Sequence, residues 1–212
     1  MKLVSSIDTD FGWPERRLDG VAARIFVGLG NARLRSEGGE HRVLPLLNVR
    51  DLRDGRVPPA SALEARTVAA GAEVDRYVVQ EHDVVITCRG TQLRVASIPP
   101  STAGALISAN LIAVRTGPQL LPAVLLVLLQ SEAGQRALLL RGQSSTSNLL
   151  LTPKAIGEVS IPVPPLEVQE QIAALVSTAE QHHVAAVRAA DQRRAVAFAV
   201  AVDLLRGQSR QR

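Results

Sequence analysis

Two short polar stretches hold the side chains of this 212-residue chain best suited to chemistry on a polyanion. The first is Arg89-Gly90-Thr91-Gln92-Leu93-Arg94. The second runs from Arg141 to Asn148 and contains Gln143, Ser144 and Ser145, with Lys154 soon after. Arginine presents a planar fork of donors that fits phosphate oxygens and the O6/N7 edge of guanine. Glutamine and asparagine match the N6/N7 edge of adenine, and small hydroxyl side chains let a backbone come close to a phosphate. Arg89 and Arg94 are thus candidates for guanine or phosphate, and Gln92, Gln143 and Asn148 for adenine. Thr91, Ser144 and Ser145 suit close approach to the backbone, with Arg141 and Lys154 as counter-charges. Taken singly, each is also what a solvated surface side chain looks like, so the loops are better founded than any member. If Arg89, Arg94, Arg141 and Lys154 each neutralise one phosphate, log K should fall against log salt with a slope of about −3.6.

The charge pattern favours the same region. Of the 24 basic residues 22 are Arg, with Lys2 and Lys154 the only lysines. GC-rich coding raises arginine content without any functional cause, but the distribution along the chain is harder to dismiss. Residues 1–83 carry 12 basic and 13 acidic side chains. Residues 84–155 carry six basic ones (Arg89, Arg94, Arg115, Arg136, Arg141, Lys154) against Glu132 alone, and residues 156–212 balance at six each. A polyanion would dock on the middle third.

Catalytic constellations are missing. Gly28-Leu29-Gly30 lacks the third glycine of a dinucleotide fingerprint, and no phosphate-binding GxxxxGK[ST] loop exists. His182 and His183 are adjacent, so on a helix they diverge by about 100° and cannot chelate one metal as an i, i+4 pair could. Cys88 lies in an apolar strand and reads as a buried thiol rather than a nucleophile. There is no Asn/Asp-Pro-Pro-aromatic tetrapeptide of an amino-methyltransferase, and no spaced carboxylate pair with Lys of a nuclease. Glu167 and Glu170 are more simply the charged first turn of a helix. The expectation is a non-enzyme with no metal site and no cofactor of its own.

The chain is long enough for one large domain, or a domain plus an appendage. Apolar residues make up 46% of it, which excludes global disorder. Five aromatic residues (Phe11, Trp13, Phe26, Tyr77, Phe198) leave the core to Leu, Val, Ile and Ala. A single cysteine excludes an intramolecular disulfide. The N-terminus lacks the apolar stretch of a signal peptide, and runs such as Ala123–Leu129 are too short for a membrane span. A cytoplasmic protein with no membrane partner is expected.

The elements that must position the two loops follow from pattern. Val21–Val57 suggests strands joined by tight turns, with Asp54-Gly55 a strong reversal signal. Asp83–Cys88 reads as a strand feeding the first loop, Leu93–Ile98 as the next, ended by Pro99-Pro100, and Ala109–Arg115 as another. LPAVLLVLLQSEAGQRALLL reads as a helix from Pro122, bent or broken near Gly134. Thr152-Pro153 is an N-cap with proline at the first helical position, and Val159–Val163 is a last strand.

From Glu167 to Leu205 no Pro or Gly interrupts the chain, and Gly207 is a suitable stop. Ile172, Leu175, Val176, Ala179, Ala186 and Ala190 recur at spacings of three and four. His182, His183, Arg193 and Arg194 interrupt the seam, so the heptad is imperfect. At about 1.5 Å per residue such a helix runs nearly 60 Å and needs a partner for its apolar stripe. The fold class expected is α+β: a mixed α/β domain of twisted strands and short helices (1–165), a long helix that pairs as a coiled coil (166–207), and a tail (208–212).

Four segments in order carry a family resemblance. Asp83-Val84-Val85-Ile86-Thr87-Cys88-Arg89-Gly90 resembles the GDVLI-x-x-RG strand and loop of specificity (S) subunits of type I restriction-modification systems. Gln130-Ser131-Glu132-Ala133-Gly134 is similar to their L-x-S-x-x-G helix end. Arg141-Gly142-Gln143-Ser144 to Asn148-Leu149 resembles their GS-x-x-x-x-L loop, with an added Gln143. Ile161-Pro162-Val163-Pro164-Pro165-Leu166-Glu167-Val168-Gln169 to Ile172-Ala173 resembles their IP-[LV]-PPL-x-x-Q-x-x-IA junction, the most specific of the four.

The resemblance implies a target-recognition domain followed by a conserved helix. Such subunits usually carry two of each, the helices packing antiparallel and each domain reading half of a split double-stranded DNA target. They are not catalytic: a methyltransferase subunit docks on the helices and a motor-nuclease subunit supplies cleavage. One domain and one helix here imply a half subunit that pairs with a second copy or another half subunit, in a DNA-methylation or defence system. Two other classes compete: an adaptor that dimerises through its C-terminal helix without binding DNA, and an unrecognised enzyme such as a nuclease.

Overall fold

A computed structural model describes residues 12–30, 41–69, 72–142 and 149–208. The chain divides into two units, Met1–Glu170 and Gln171–Arg212. The fold is mixed α/β, with several small sheets and a long C-terminal helix.

The largest sheet is antiparallel, in the order β2 (Ala22–Val27), β9 (Leu111–Thr116), β5 (Val84–Thr87), β7 (Val95–Ser97). All of β5 and Leu111–Val114 of β9 are buried, which is why VVIT and LIAV read as unbroken apolar runs rather than as alternating ones. A second sheet sets β3 (His41–Leu47) between antiparallel β4 (Glu64–Ala69) and parallel β8 (Leu106–Ile107). Phe26, Leu47, Leu52, Val85, Ile98, Ile107 and Leu111 meet in one core spanning both sheets. Two two-stranded pairs complete the set: β1 (Glu15–Arg17) with β11 (Ser160–Pro162), and β6 (Arg89–Gly90) with β10 (Leu149–Leu150).

Strand β3 ends at Leu47, short of the turn expected at Asp54-Gly55. The chain then makes a 3-10 turn at Val49–Asp51, where the Asp51 carboxylate accepts from the Asn48 backbone N–H at 2.8 Å. Asp54-Gly55 reverses the chain as expected. Both residues have positive φ (50° and 74°), and Arg53 and Arg56 exchange backbone hydrogen bonds of 3.0 and 2.9 Å. That is a two-residue hairpin of the I′ kind, whose twist matches paired strands. Gly28, from the isolated GxG, packs edge-on to another chain segment: a Cβ there would lie 2.2 Å from the Ile107 carbonyl oxygen.

The helical stretch after Leu121 breaks near Gly134, as expected, with the corner itself at Ser131. It forms α3 (Pro122–Gln130) and α4 (Glu132–Arg141), bent by 79° at Ser131. The Ser131 hydroxyl donates to the Leu128 carbonyl (2.7 Å) and accepts from Gly134 N (3.1 Å), ending one helix and capping the next. Gly134 is required for close approach, since a Cβ would sit 1.9 Å from the Leu128 oxygen. Thr152 caps a short helix at Pro153–Gly157 (α5), accepting from Ala155 N at 3.1 Å. Of the shorter helices, α1 covers Leu18–Val21 and α2 Ala72–Asp75. No single described helix is long and apolar enough to cross a membrane.

The final helix, α6, runs from Leu166 to Gln208. Its first turn is fixed by Gln169, which is 2% exposed. The amide nitrogen donates to the carbonyls of Gln119 (3.0 Å) and Pro164 (2.9 Å), and the amide oxygen accepts from Leu121 N at 2.8 Å. Leu121 is the N-cap of α3 and offers no side-chain cap, so Gln169 satisfies that helix start from across the fold.

Candidate nucleic-acid interface

The first polar stretch meets the described residues that flank the second. Strand β5 ends at Thr87, and Cys88 is held on both sides, its N–H donating to Asn110 O and its carbonyl accepting from Leu151 N, each at 2.9 Å. Arg89 and Gly90 then pair antiparallel with Leu150 and Leu149. Gly142 O accepts from Leu150 N at 3.2 Å, so α4 and β10 meet at the mouth of the intervening segment. Sequence separates Arg89 from Leu150 by some sixty positions, yet the ladder sets them opposite. Arg89, Thr91 and Gln92 are exposed; Gln143, Ser144, Ser145 and Asn148 lie outside the described residues.

Arg94 and Arg141 have internal partners. The Arg94 guanidinium donates to Leu52 O (2.8 Å), Val49 O (3.3 Å) and Gln92 Oε1 (2.5 Å), tying the loop to the base of the hairpin. Arg141 is 18% exposed and pairs with Glu158 at 3.0 Å, so its charge is largely matched. Lys154 is exposed on α5, which packs against α4. Arg115 belongs to the core architecture: its guanidinium grips the Asp83 carboxylate with two bonds of 2.8 and 2.7 Å, and Asp83 also accepts from Gln80 N at 2.8 Å.

Beside the loop lies a cleft of about 810 Å³ lined by Arg50, Arg53, Gln92, Arg94, Gln130 and Gln135, with Asp54 at its rim. Gln130 and Gln135 use their amide nitrogens on Val95 O (3.1 Å) and Leu129 O (2.8 Å). Arg50 pairs with Glu64 at 2.8 Å. Arg50 and Arg53 were not among the sequence candidates, because a charge count along the chain assigns them to its nearly balanced first part. The Arg-Asp-Gly-Arg turn was the available signal.

Burial pushes the Cys88 thiol up to about 11 from 9.0, against a smaller opposing effect of Arg89. The described residues bring together no three His, Cys, Asp or Glu side chains able to hold a metal ion.

In the second unit, Ile172 and Val176 are half-buried, whereas Leu175, Ala179, Ala186 and Ala190 are exposed. Further along, Val196, Phe198, Val200, Leu204 and Leu205 are exposed too, with the Arg194 guanidinium 5.7 Å from the Phe198 ring centre.

No protein-family model matches the chain, and no curated protein does. Among solved structures, it is similar to a chain of a type I R-M system whose complex assembly and conformational transition were described, with 26% identity and a TM-score of 0.55. It is also similar to the HsdS subunit from Thermoanaerobacter tengcongensis, with 26% identity and a TM-score of 0.51. Each similarity covers 86% of this chain, but only 42% and 41% of the respective relative. The chain thus has the fold of a type I restriction-modification specificity subunit over about two-fifths of the length of these relatives.

Proposed function

We propose that a chain with this fold is the non-catalytic DNA-recognition subunit of a type I restriction-modification, or related DNA-methylation, complex. The observation that carries the reading is the β6–β10 pairing, which brings Arg89 and Gly90 beside Leu149 and Leu150 in that fold. Arg89 and Lys154, exposed and without a carboxylate partner among the described residues, neutralise phosphates. The base-edge contacts to a half-site are assigned to Thr91 and Gln92, and to Gln143, Ser144, Ser145 and Asn148 on their residue types alone. The internally bonded Arg94 and Arg141 shape the loops, so fewer than four phosphates are expected from the original set.

Helix α6 is the assembly element. Its apolar series pairs antiparallel with that of a second copy, or of another half subunit, and offers a docking surface to a methyltransferase subunit, with a motor-nuclease subunit joining where the system restricts. Alanine buries little area, so the pairing is weak without the methyltransferase. Two-fold pairing places two recognition domains on an inverted repeat.

Duplex affinity measured against salt tests the DNA reading. Arg89→Ala with Lys154→Ala should make the log–log slope shallower by about 1.8, because two counterion-releasing contacts are lost. Both side chains are exposed, so the fold should be retained. An unchanged slope places the DNA elsewhere, and a parent chain without salt-dependent affinity favours the adaptor reading.

A further inference from the structure

The Arg53–Arg56 hairpin belongs by sequence to the nearly balanced first part of the chain, yet folding places it against the 89–94 loop. Arg94 is the link. Its donors engage Val49 O and Leu52 O at the base of the hairpin and Gln92 in the loop, so the two move as one piece. At the hairpin tip the Arg53 side chain is exposed, and its Nε leans on the Arg50 carbonyl at 3.4 Å. Among the described residues no carboxylate pairs with its guanidinium, whereas neighbouring Arg50 is matched by Glu64.

We infer that Arg53 is a DNA-phosphate contact and that the hairpin forms the second wall of the DNA-binding surface, across the cleft from Gln92. This rests on the DNA-recognition reading above and extends it to an element outside the basic third. A two-residue turn fixed by two backbone hydrogen bonds presents Arg53 from a rigid support, so little backbone ordering remains to be done on binding. Arg94 is a positioning residue in this arrangement: it holds the hairpin and the loop at a fixed separation. Asp54, exposed beside Arg53, opposes a phosphate and makes the electrostatics testable in both directions.

The test uses the full chain and a mixed-sequence duplex of about 30 base pairs, roughly three helical turns, titrated across salt concentrations. Arg53→Ala should make the log–log slope shallower by about 0.9, and Arg53→Lys, which keeps the charge, should restore it. Asp54→Asn keeps a residue suited to positive φ and should tighten binding by roughly two- to five-fold at low salt. If Arg53→Ala keeps the parent's slope while Arg89→Ala with Lys154→Ala lowers it, the hairpin is not part of the surface and this inference alone fails. If the parent chain shows no salt-dependent affinity for the duplex, the inference falls together with the DNA reading.

Discussion

Replacing Gln169 by Leu is expected to destabilise the Met1–Glu170 unit by about 2–4 kcal/mol, because a buried polar group left without a partner costs roughly 1–3 kcal/mol and part-buried ones that can regain water cost less. The substitution roughly conserves volume but strands three backbone groups, Leu121 N, Gln119 O and Pro164 O. Against a typical domain stability of about 5–15 kcal/mol, that loss is large. Urea unfolding of the parent and the variant measures it, and a difference under about 1 kcal/mol would show that these bonds are not what fixes the helix start. Gln169→Glu should be no milder, since it exchanges two donated hydrogen bonds for a carboxylate facing carbonyl oxygens. The same geometry has a practical consequence: a chain ending at Pro165 loses Gln169, whereas one ending at Glu170 keeps it.

The Asp83–Arg115 pair should show a large but lopsided effect. Asp83 is 1% exposed, and the Arg115 side chain is 24% exposed. Arg115→Met keeps the packing stem but leaves a buried carboxylate without its cation, for an expected loss of about 3–5 kcal/mol. Asp83→Ala should cost less, because the freed guanidinium can turn to water. The double variant should be more stable than the sum of the single losses by about 1–3 kcal/mol, since the second substitution removes the charge that the first left stranded. Additive losses would mean that the two groups do not act as a pair.

Much of the fold was legible because local chemistry agreed with its surroundings. Asp54-Gly55 tolerates positive φ and turned the chain there; Thr152-Pro153 could start a helix and did. The uninterrupted apolar runs at Val84–Ile86 and Leu111–Val114 announced strands buried on both faces. The family-like segments acquire physical causes: the Gln of the Pro-Pro-Leu junction bonds three backbone groups, and the Ser and Gly of the helix end form a 79° corner.

What the sequence concealed depends on partners distant along the chain. Arg94 and Arg115 count as basic residues of the middle third, but their donors meet Val49, Leu52 and Asp83, which periodicity cannot place beside them. Arg53 is the converse case. It lies in the nearly balanced first part of the chain, and only the hairpin brings it to the cleft.

Selection from a random duplex pool, followed by sequencing of what the purified full-length chain retains, tests the central claim most directly. A recognition subunit built as described should enrich a recurrent base motif, arranged as an inverted repeat with unread bases between the halves where two copies pair through α6. Arg89→Ala should weaken retention of that motif. A retained pool with the base composition of the input, or no retained DNA at all, would contradict the claim that this chain reads DNA sequence.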